Sequence, residues 1–236
     1  MTHPAFRLTD RLPQVVGSIG STDDLTGLLP SAVRAACDLV EIRLDLLSPS
    51  AAAPAPWQHL RDSPLLFTAR RADEGGRRAL SAEARIGLLE PVLAQAAWLD
   101  IEVASIGEMG GLIAELASRE IPWLASFHDF NALPATAVLA EAAQQARAAG
   151  AGAFKAAARL QQVADLTRLA EFQLADHGLP VATMGMGPLA AVSRLLCAQC
   201  GSVLNYGYLG LTATAPGQWD AALLKLAIAR LLPLET

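Results

Sequence analysis

Apolar residues along the chain fall into short, unbroken runs separated by polar turns. Eight of these runs read as strands: Gln14–Ile19, Leu39–Leu44, Leu65–Ala69, Trp98–Val103, Pro122–Phe127, Gly152–Ala157, Pro180–Met184 and Ser202–Tyr206. Each is followed by a stretch with helical spacing: Asp23–Cys37, Pro56–Arg61, Ala82–Ala96, Ser105–Ser118, Pro134–Ala149, Gln161–His177, Gly187–Cys200 and Gln218–Leu231. Runs that are apolar throughout, not alternating, suit parallel strands buried on both faces. Strict alternation of strand and helix gives a parallel sheet, and eight units is the number that closes a barrel. The pattern therefore predicts an α/β chain folded as one (β/α)8 TIM barrel over residues 1–236, with an open doubly wound sheet as the alternative.

A barrel of this kind carries its chemistry at the C-terminal strand ends. The ionisable residues concentrate there. They are Glu41, Arg43 and Asp45 after strand two, Arg70 and Glu74 after strand three, and Asp100 and Glu102 on strand four. His128 ends strand five, Lys155 lies in strand six, and Met184-Gly-Met186-Gly ends strand seven. Arg194 lies on the next helix, and Thr214 and Gln218 follow strand eight. Glu41 and Arg43 stand two apart and so share one side of their strand. With Ile42 and Leu44 facing the helices, both point into the barrel, either as an ion pair or as a grip on substrate hydroxyls.

Composition sharpens one of these positions. The chain has two lysines, Lys155 and Lys225, against sixteen arginines. Arginine cannot lose its proton at workable pH, whereas a desolvated lysine can. Lys155 in Gly152-Ala-Phe-Lys-Ala-Ala-Ala158 therefore reads as a nucleophilic amine or as a strand-end lysine reaching back to solvent. His128, alone among four histidines, sits at a strand end beside it, as a general acid/base needs to. Arg43, Arg70 and Arg194 gather three guanidinium groups at one mouth, which suggests an anionic substrate. Pro216-Gly217 gives the last loop a hinge, with Thr214 and Gln218 carried on a lid.

Other classes recede. A net charge of −5 with scattered basic residues does not suit nucleic acid. No apolar run reaches the 18 or so residues of a membrane span. The absence of a basic-then-apolar start and the odd count of three cysteines suit a cytoplasmic setting. Cys197-Ala-Gln-Cys200 lacks a second ligand pair for zinc and reads as buried structure. Gly185-Met-Gly187-Pro-Leu-Ala190 imitates a dinucleotide fingerprint but has no carboxylate about 20 residues on. It is better read as a pocket wall filled by Met184 and Met186.

Six separated motifs now stand in order: Glu41-Ile-Arg43-Leu-Asp45; Phe67-Thr-Ala-Arg70 with Glu74-Gly-Gly76; Ser126-Phe-His128-Asp-Phe130; Lys155; Met184-Gly-Met186-Gly with Ser193-Arg194-Leu195; and Ala213-Thr-Ala-Pro-Gly-Gln218. Together, from about Pro13 to Gln218, the chain resembles the type I 3-dehydroquinate dehydratases, Schiff-base enzymes of the shikimate pathway. The resemblance implies a (β/α)8 barrel, a homodimer, and no metal or cofactor. It implies that Lys155 forms an imine with 3-dehydroquinate, that His128 is the general acid/base, and that Glu74 assists it. Arg194, Gln218 and Thr214 would hold the substrate carboxylate and close the lid. Glu41, Arg43 and Arg70 would hold the ring hydroxyls. The lid hydroxyl is a threonine where the family usually has serine. Two other readings share some of these residues: another Schiff-base barrel lyase such as an aldolase, which does not need this set of arginines, and a non-catalytic metabolite-binding relative, which predicts a lost lysine or histidine.

Overall fold

The computed structural model describes residues 6, 8, 13–47 and 55–232. His3 and Ala53-Pro54, the latter read as part of a loop, lie outside the described residues. Eight parallel strands form the centre: β1 (Gln14–Ile19), β2 (Leu39–Arg43), β3 (Leu65–Thr68), β4 (Trp98–Glu102), β5 (Trp123–Asp129), β6 (Ala153–Arg159), β7 (Val181–Met186) and β8 (Leu204–Tyr208). Seven neighbouring pairs are laddered in the order β7-β6-β5-β4-β3-β2-β1-β8. The eighth seam is stitched more lightly. Val203 N–H donates to Val181 O at 3.1 Å, and Thr183 N–H donates to Ser202 Oγ at 3.2 Å. The predicted barrel is borne out, nearly closed.

The helices are shorter than the apolar periodicity suggests, for backbone reasons. The predicted helix Asp23–Cys37 is two helices, α1 (Thr22–Gly27) and α2 (Pro30–Ala36). Pro30 forces the residue before it out of helical conformation, and Leu29 sits at φ −85°, ψ 129°. The predicted helix Ala82–Ala96 is α3 (Ala82–Leu89) continued by a tighter 3₁₀ segment, Glu90–Gln95, where Pro91 removes an N–H. The predicted helix Ser105–Ser118 begins only at Gly110, as α4 (Gly110–Ser118), after a 3₁₀ turn at Val103–Ser105 and with the poor helix former Gly107 between them. The predicted helix Pro56–Arg61 is a 3₁₀ turn at Gln58–Leu60, so no α-helix follows β2 among the described residues. The remaining helices are α5 (Thr136–Ala148), α6 (Val163–Leu174), α7 (Ala190–Gln199) and α8 (Ala221–Ile228). The Asp220 carboxylate accepts from Leu223 N–H and starts α8 there, which leaves Gln218 in the preceding loop.

Two apolar layers follow from strand alternation. Residues of one side, such as Ile42, Phe67, Ile101, Ala125 and Phe154, pack outward on the helices. The inward side changes character along the barrel axis. At the N-terminal end it is apolar, with Leu39, Leu66, Trp98, Leu124 and Ala153. Phe6 and Leu8 pack on this end, and Trp98 Nε1–H donates to Phe6 O at 3.0 Å. Two residues further along the same strands come Glu41, Thr68, Asp100, Ser126 and Lys155, all buried. Two further come Arg43, Arg70, Glu102 and His128. A dry floor thus supports a polar mouth. Among the described residues no helix is long and apolar enough to cross a membrane.

Candidate active site

Lys155 is 4% exposed, and its chain rises from β6 into the polar half of the barrel. Its Nζ lies 2.9 Å from Asp100 Oδ2 and 4.2 Å from the centre of the Tyr206 ring. Burial pulls the amine below its ordinary value; Asp100 opposes that shift and Arg70 adds to it. The small residues beside Lys155 in sequence do not set this environment. Phe154 and Ala156 face the helices, and the amine meets side chains from β4 and β8.

Asp100 accepts from three buried side chains. Oδ2 takes Arg70 Nη2 at 2.8 Å as well as Lys155, and Oδ1 accepts from the Ser126 hydroxyl at 2.5 Å. Burial by itself would raise this acid, but Arg70 and Lys155 hold it well below the usual carboxylate range. Arg70 also donates to Glu102 at 3.1 Å and to Ser126 at 2.5 Å. Burial disfavours its charge, yet Asp100 and Glu102 keep it firmly protonated.

The inward register of β5 and β6 puts His128 one step toward the mouth, since Ser126 pairs with Lys155 and His128 with Ala157. Glu74 reaches it from a 3₁₀ turn, Ala72–Glu74, in the loop after β3. Glu74 Oε2 accepts the His128 backbone N–H at 2.9 Å and lies 2.9 Å from Nδ1. With Glu74 ionised, Oε2 accepts, so Nδ1 carries the hydrogen and Nε2 is left as the base. Burial pushes Glu74 up to about 7, with Glu102 and Asp100 adding and Arg70 opposing. Burial, then Arg70 and Lys155, push His128 well below its ordinary value. Both shifts disfavour an imidazolium–carboxylate pair, so the imidazole is neutral at neutral pH. The loop is shaped for this contact. Gly75 closes the turn at φ 93°, and a Cβ there would meet the Phe130 ring at 2.4 Å. Arg71 anchors it through Asp73 at 2.9 Å and a backbone donation to Glu102 at 3.0 Å.

Glu41 and Arg43 share a side as expected, but they do not pair. Glu41 accepts from the Thr68 hydroxyl at 2.8 Å and from the Ser18 hydroxyl. Arg43 forms a two-pronged pair with Asp45 at 2.9 and 2.8 Å. Of the three arginines read as needing an anion, Arg43 and Arg70 therefore have one inside the protein. Arg194 does not. It is 1% exposed, and its Nε and Nη1 donate only to the carbonyls of Tyr206, Gly185 and Ala190, at 3.0, 2.8 and 3.0 Å. Burial without a carboxylate lowers it to about 10.

The loop after β8 lies over the mouth. Gln218 Oε1 accepts from the backbone N–H groups of Thr214 and Ala215 at 2.9 and 3.2 Å. The Thr214 hydroxyl lies 2.9 Å from Ser18 Oγ, which in turn donates to Glu41. Gly187 N–H donates to Pro216 O at 3.2 Å, and a Cβ at Gly217 would strike Gly187 O at 2.5 Å. Met184 and Met186 are buried in β7 on the barrel's inner side. Cys197 and Cys200 are free thiols at the end of α7, and burial pushes Cys197 up to about 12. The side chains with no role assigned from sequence are Asp100, Ser126, Ser18, Glu102 and Tyr206. Alternation along β4 already turned Asp100 inward with Trp98 and Glu102; Tyr206 reads simply as the end of an apolar run.

A model of the type I 3-dehydroquinase family matches residues 18–231. The chain belongs to that family. The 3-dehydroquinate dehydratase of Desulfotalea psychrophila is 34% identical over 202 residues, covering 80% of this chain and 88% of the relative. That of Methanothrix thermoacetophila is 31% identical over 224 residues, 92% of each. The crystal structure of the Geobacillus kaustophilus 3-dehydroquinate dehydratase superposes with a TM-score of 0.80 at 25% identity, covering 92% of this chain and 90% of that one. The Enterococcus faecalis enzyme gives 0.79 at 26%, covering 94% and 95%. The resemblance read from the six motifs is borne out, as is the reading of the chain as a dehydratase of this type.

Proposed function

We propose that this type I 3-dehydroquinase converts 3-dehydroquinate to 3-dehydroshikimate in aromatic biosynthesis, through an imine between Lys155 and the substrate ketone. The observation that carries the mechanism is a buried, depressed amine set one register step below a neutral imidazole whose Nδ1 is committed to Glu74.

The sequence of events follows from those groups. The neutral Lys155 amine attacks the ketone carbon, and the oxygen leaves as water, taking one proton from the amine and one from solvent, to give an iminium; the second proton returns to solvent when the product iminium is hydrolysed. The iminium drains electrons from the neighbouring C–H bond. His128 Nε2 takes that proton and an enamine forms. The enamine electrons expel the β-hydroxyl, which receives the proton from the imidazolium and departs as water. Water then adds to the product iminium and frees Lys155, so one water is lost overall. Arg194, which has no carboxylate partner among the described residues, binds the substrate carboxylate, with Thr214 and Gln218 closing over it. Glu41, Arg43 and Arg70 line the polar mouth and hold the ring hydroxyls, and Met184 and Met186 wall the pocket.

Borohydride reduction during turnover of 3-dehydroquinate tests this directly. One adduct is expected, on the peptide containing Lys155, and Lys155→Ala should abolish both adduct and turnover. Turnover near the parent rate in Lys155→Ala would refute the imine. Turnover of phosphorylated sugars with none of 3-dehydroquinate would assign the barrel to an aldolase instead.

A further inference from the structure

The Lys155 nitrogen is held between two different stabilisers of positive charge. One is Asp100, whose Oδ2 it shares with Arg70 at nearly the same distance, 2.9 against 2.8 Å. The other is the face of the Tyr206 ring, 4.2 Å away. An aromatic face attracts a cation through its quadrupole, and more strongly where water is excluded. We propose that Tyr206 is a catalytic residue whose ring face stabilises the cationic nitrogen of the imine intermediates formed on Lys155. The inference rests on the imine reading given above.

The charge balance explains why a ring suits this place. The charged and titratable groups acting on the amine are Asp100 from β4, Arg70 beyond β3, Glu41 from β2 and His128 from β5. Asp100 divides its charge between two cations, so it does not fully neutralise an iminium. A second carboxylate against the nitrogen would make up the difference, but it would also hold the resting amine as ammonium and stop its attack. The ring supplies a weaker, uncharged attraction that acts only while the nitrogen is positive.

The ring is also placed without help from its hydroxyl. Tyr206 Oη is buried with no hydrogen-bond partner among the described residues. What fixes the residue is the β1–β8 register opposite Val16, the Tyr206 carbonyl accepting from Arg194 Nε at 3.0 Å, and packing on the inner apolar cluster. All of these survive replacement by phenylalanine, which makes a graded experiment possible.

Tyr206→Phe serves as the reference, followed by replacement with mono-, di- and trifluorophenylalanine, which withdraw electron density from the ring face with little change of shape. The expected result is a stepwise fall in kcat, reaching about 5- to 30-fold at trifluorophenylalanine, with KM and the thermal midpoint nearly constant. Tyr206→Leu, which removes the face altogether, should fall at or below the bottom of the series. Borohydride trapping on Lys155 is measured in every variant. An adduct in all of them with kcat flat across the series overturns the role of Tyr206 and leaves the imine intact. No adduct in the parent overturns both.

Discussion

Asp100→Asn keeps the shape of the site while removing the anion beside the amine. A unit charge 2.9 Å from Lys155 Nζ is worth about 6 kcal/mol at an effective dielectric of ~20. Arg70 draws on the same oxygen, so that figure is an upper bound. A hydrogen bond to a charged group contributes about 1.5–3 kcal/mol, which corresponds to roughly 1–2 pH units in the lysine titration. The carboxylate favours the ammonium, so its loss moves the titration further down. The chain's two lysines make the measurement clean, because only neutral amines undergo reductive methylation by formaldehyde. Labelling followed by peptide mass spectrometry across pH should show the Lys155 half-point about 1–2 units lower in the variant. The peptide containing Lys225, which pairs with Asp38 at 2.7 Å, is the control for labelling efficiency. Because Asp100 also offsets the iminium, kcat should fall about 10- to 100-fold even though the amine is neutral more of the time. An unmoved or upward Lys155 half-point would refute the electrostatic pairing. Stability gives a second check. The folded-state acid is depressed, so its contribution is present above about pH 4 and lost as pH falls below it. Denaturant titrations of the parent should therefore show a drop in stability from pH 5 to 3 that is smaller in Asp100→Asn.

Arg194→Lys keeps a charge but loses the planar fork, and should raise KM for the carboxylate substrate about 10- to 100-fold with a smaller change in kcat, by steady-state kinetics. Glu74→Gln retains an acceptor for the His128 backbone N–H but not the carboxylate. It should lower kcat about 10-fold and remove a limb near pH 7 from the rate profile. Glu74 is raised on folding, so its contribution to stability is present below 4.5 and lost as pH rises through about 7; the variant should lack that loss. Thr214→Val removes the lid hydroxyl that meets Ser18 and should raise KM by about 3- to 10-fold, leaving the thermal midpoint within a degree or two.

What the sequence made legible was direction; what it left hidden was partnership. Period-two alternation put Glu41 and Arg43 on an inward face, and the barrel hypothesis put them near one mouth with Asp100 and Lys155. Those statements need only the strand's own residues. Partners need the register between strands and the stagger of the closed sheet. Glu41 meets Thr68 and Ser18, 27 and 23 residues away, and ignores Arg43 on its own strand. Lys155 meets Asp100 across 55 residues and Tyr206 from β8. The helix boundaries failed for a local reason instead: apolar periodicity runs straight through Pro30 and Pro91, although the backbone there cannot. The arginines show the most useful difference between the two kinds of information. Counted along the chain, Arg43, Arg70 and Arg194 are equal candidates for an anionic ligand. Folded, Arg43 and Arg70 have carboxylates, and Arg194 has carbonyls alone among the described residues. Burying a guanidinium without an anion costs stability, and a fold retains that cost where a ligand's charge removes it. The position of the substrate carboxylate is thus read from an incomplete ion pair, which no residue pattern along the chain contains.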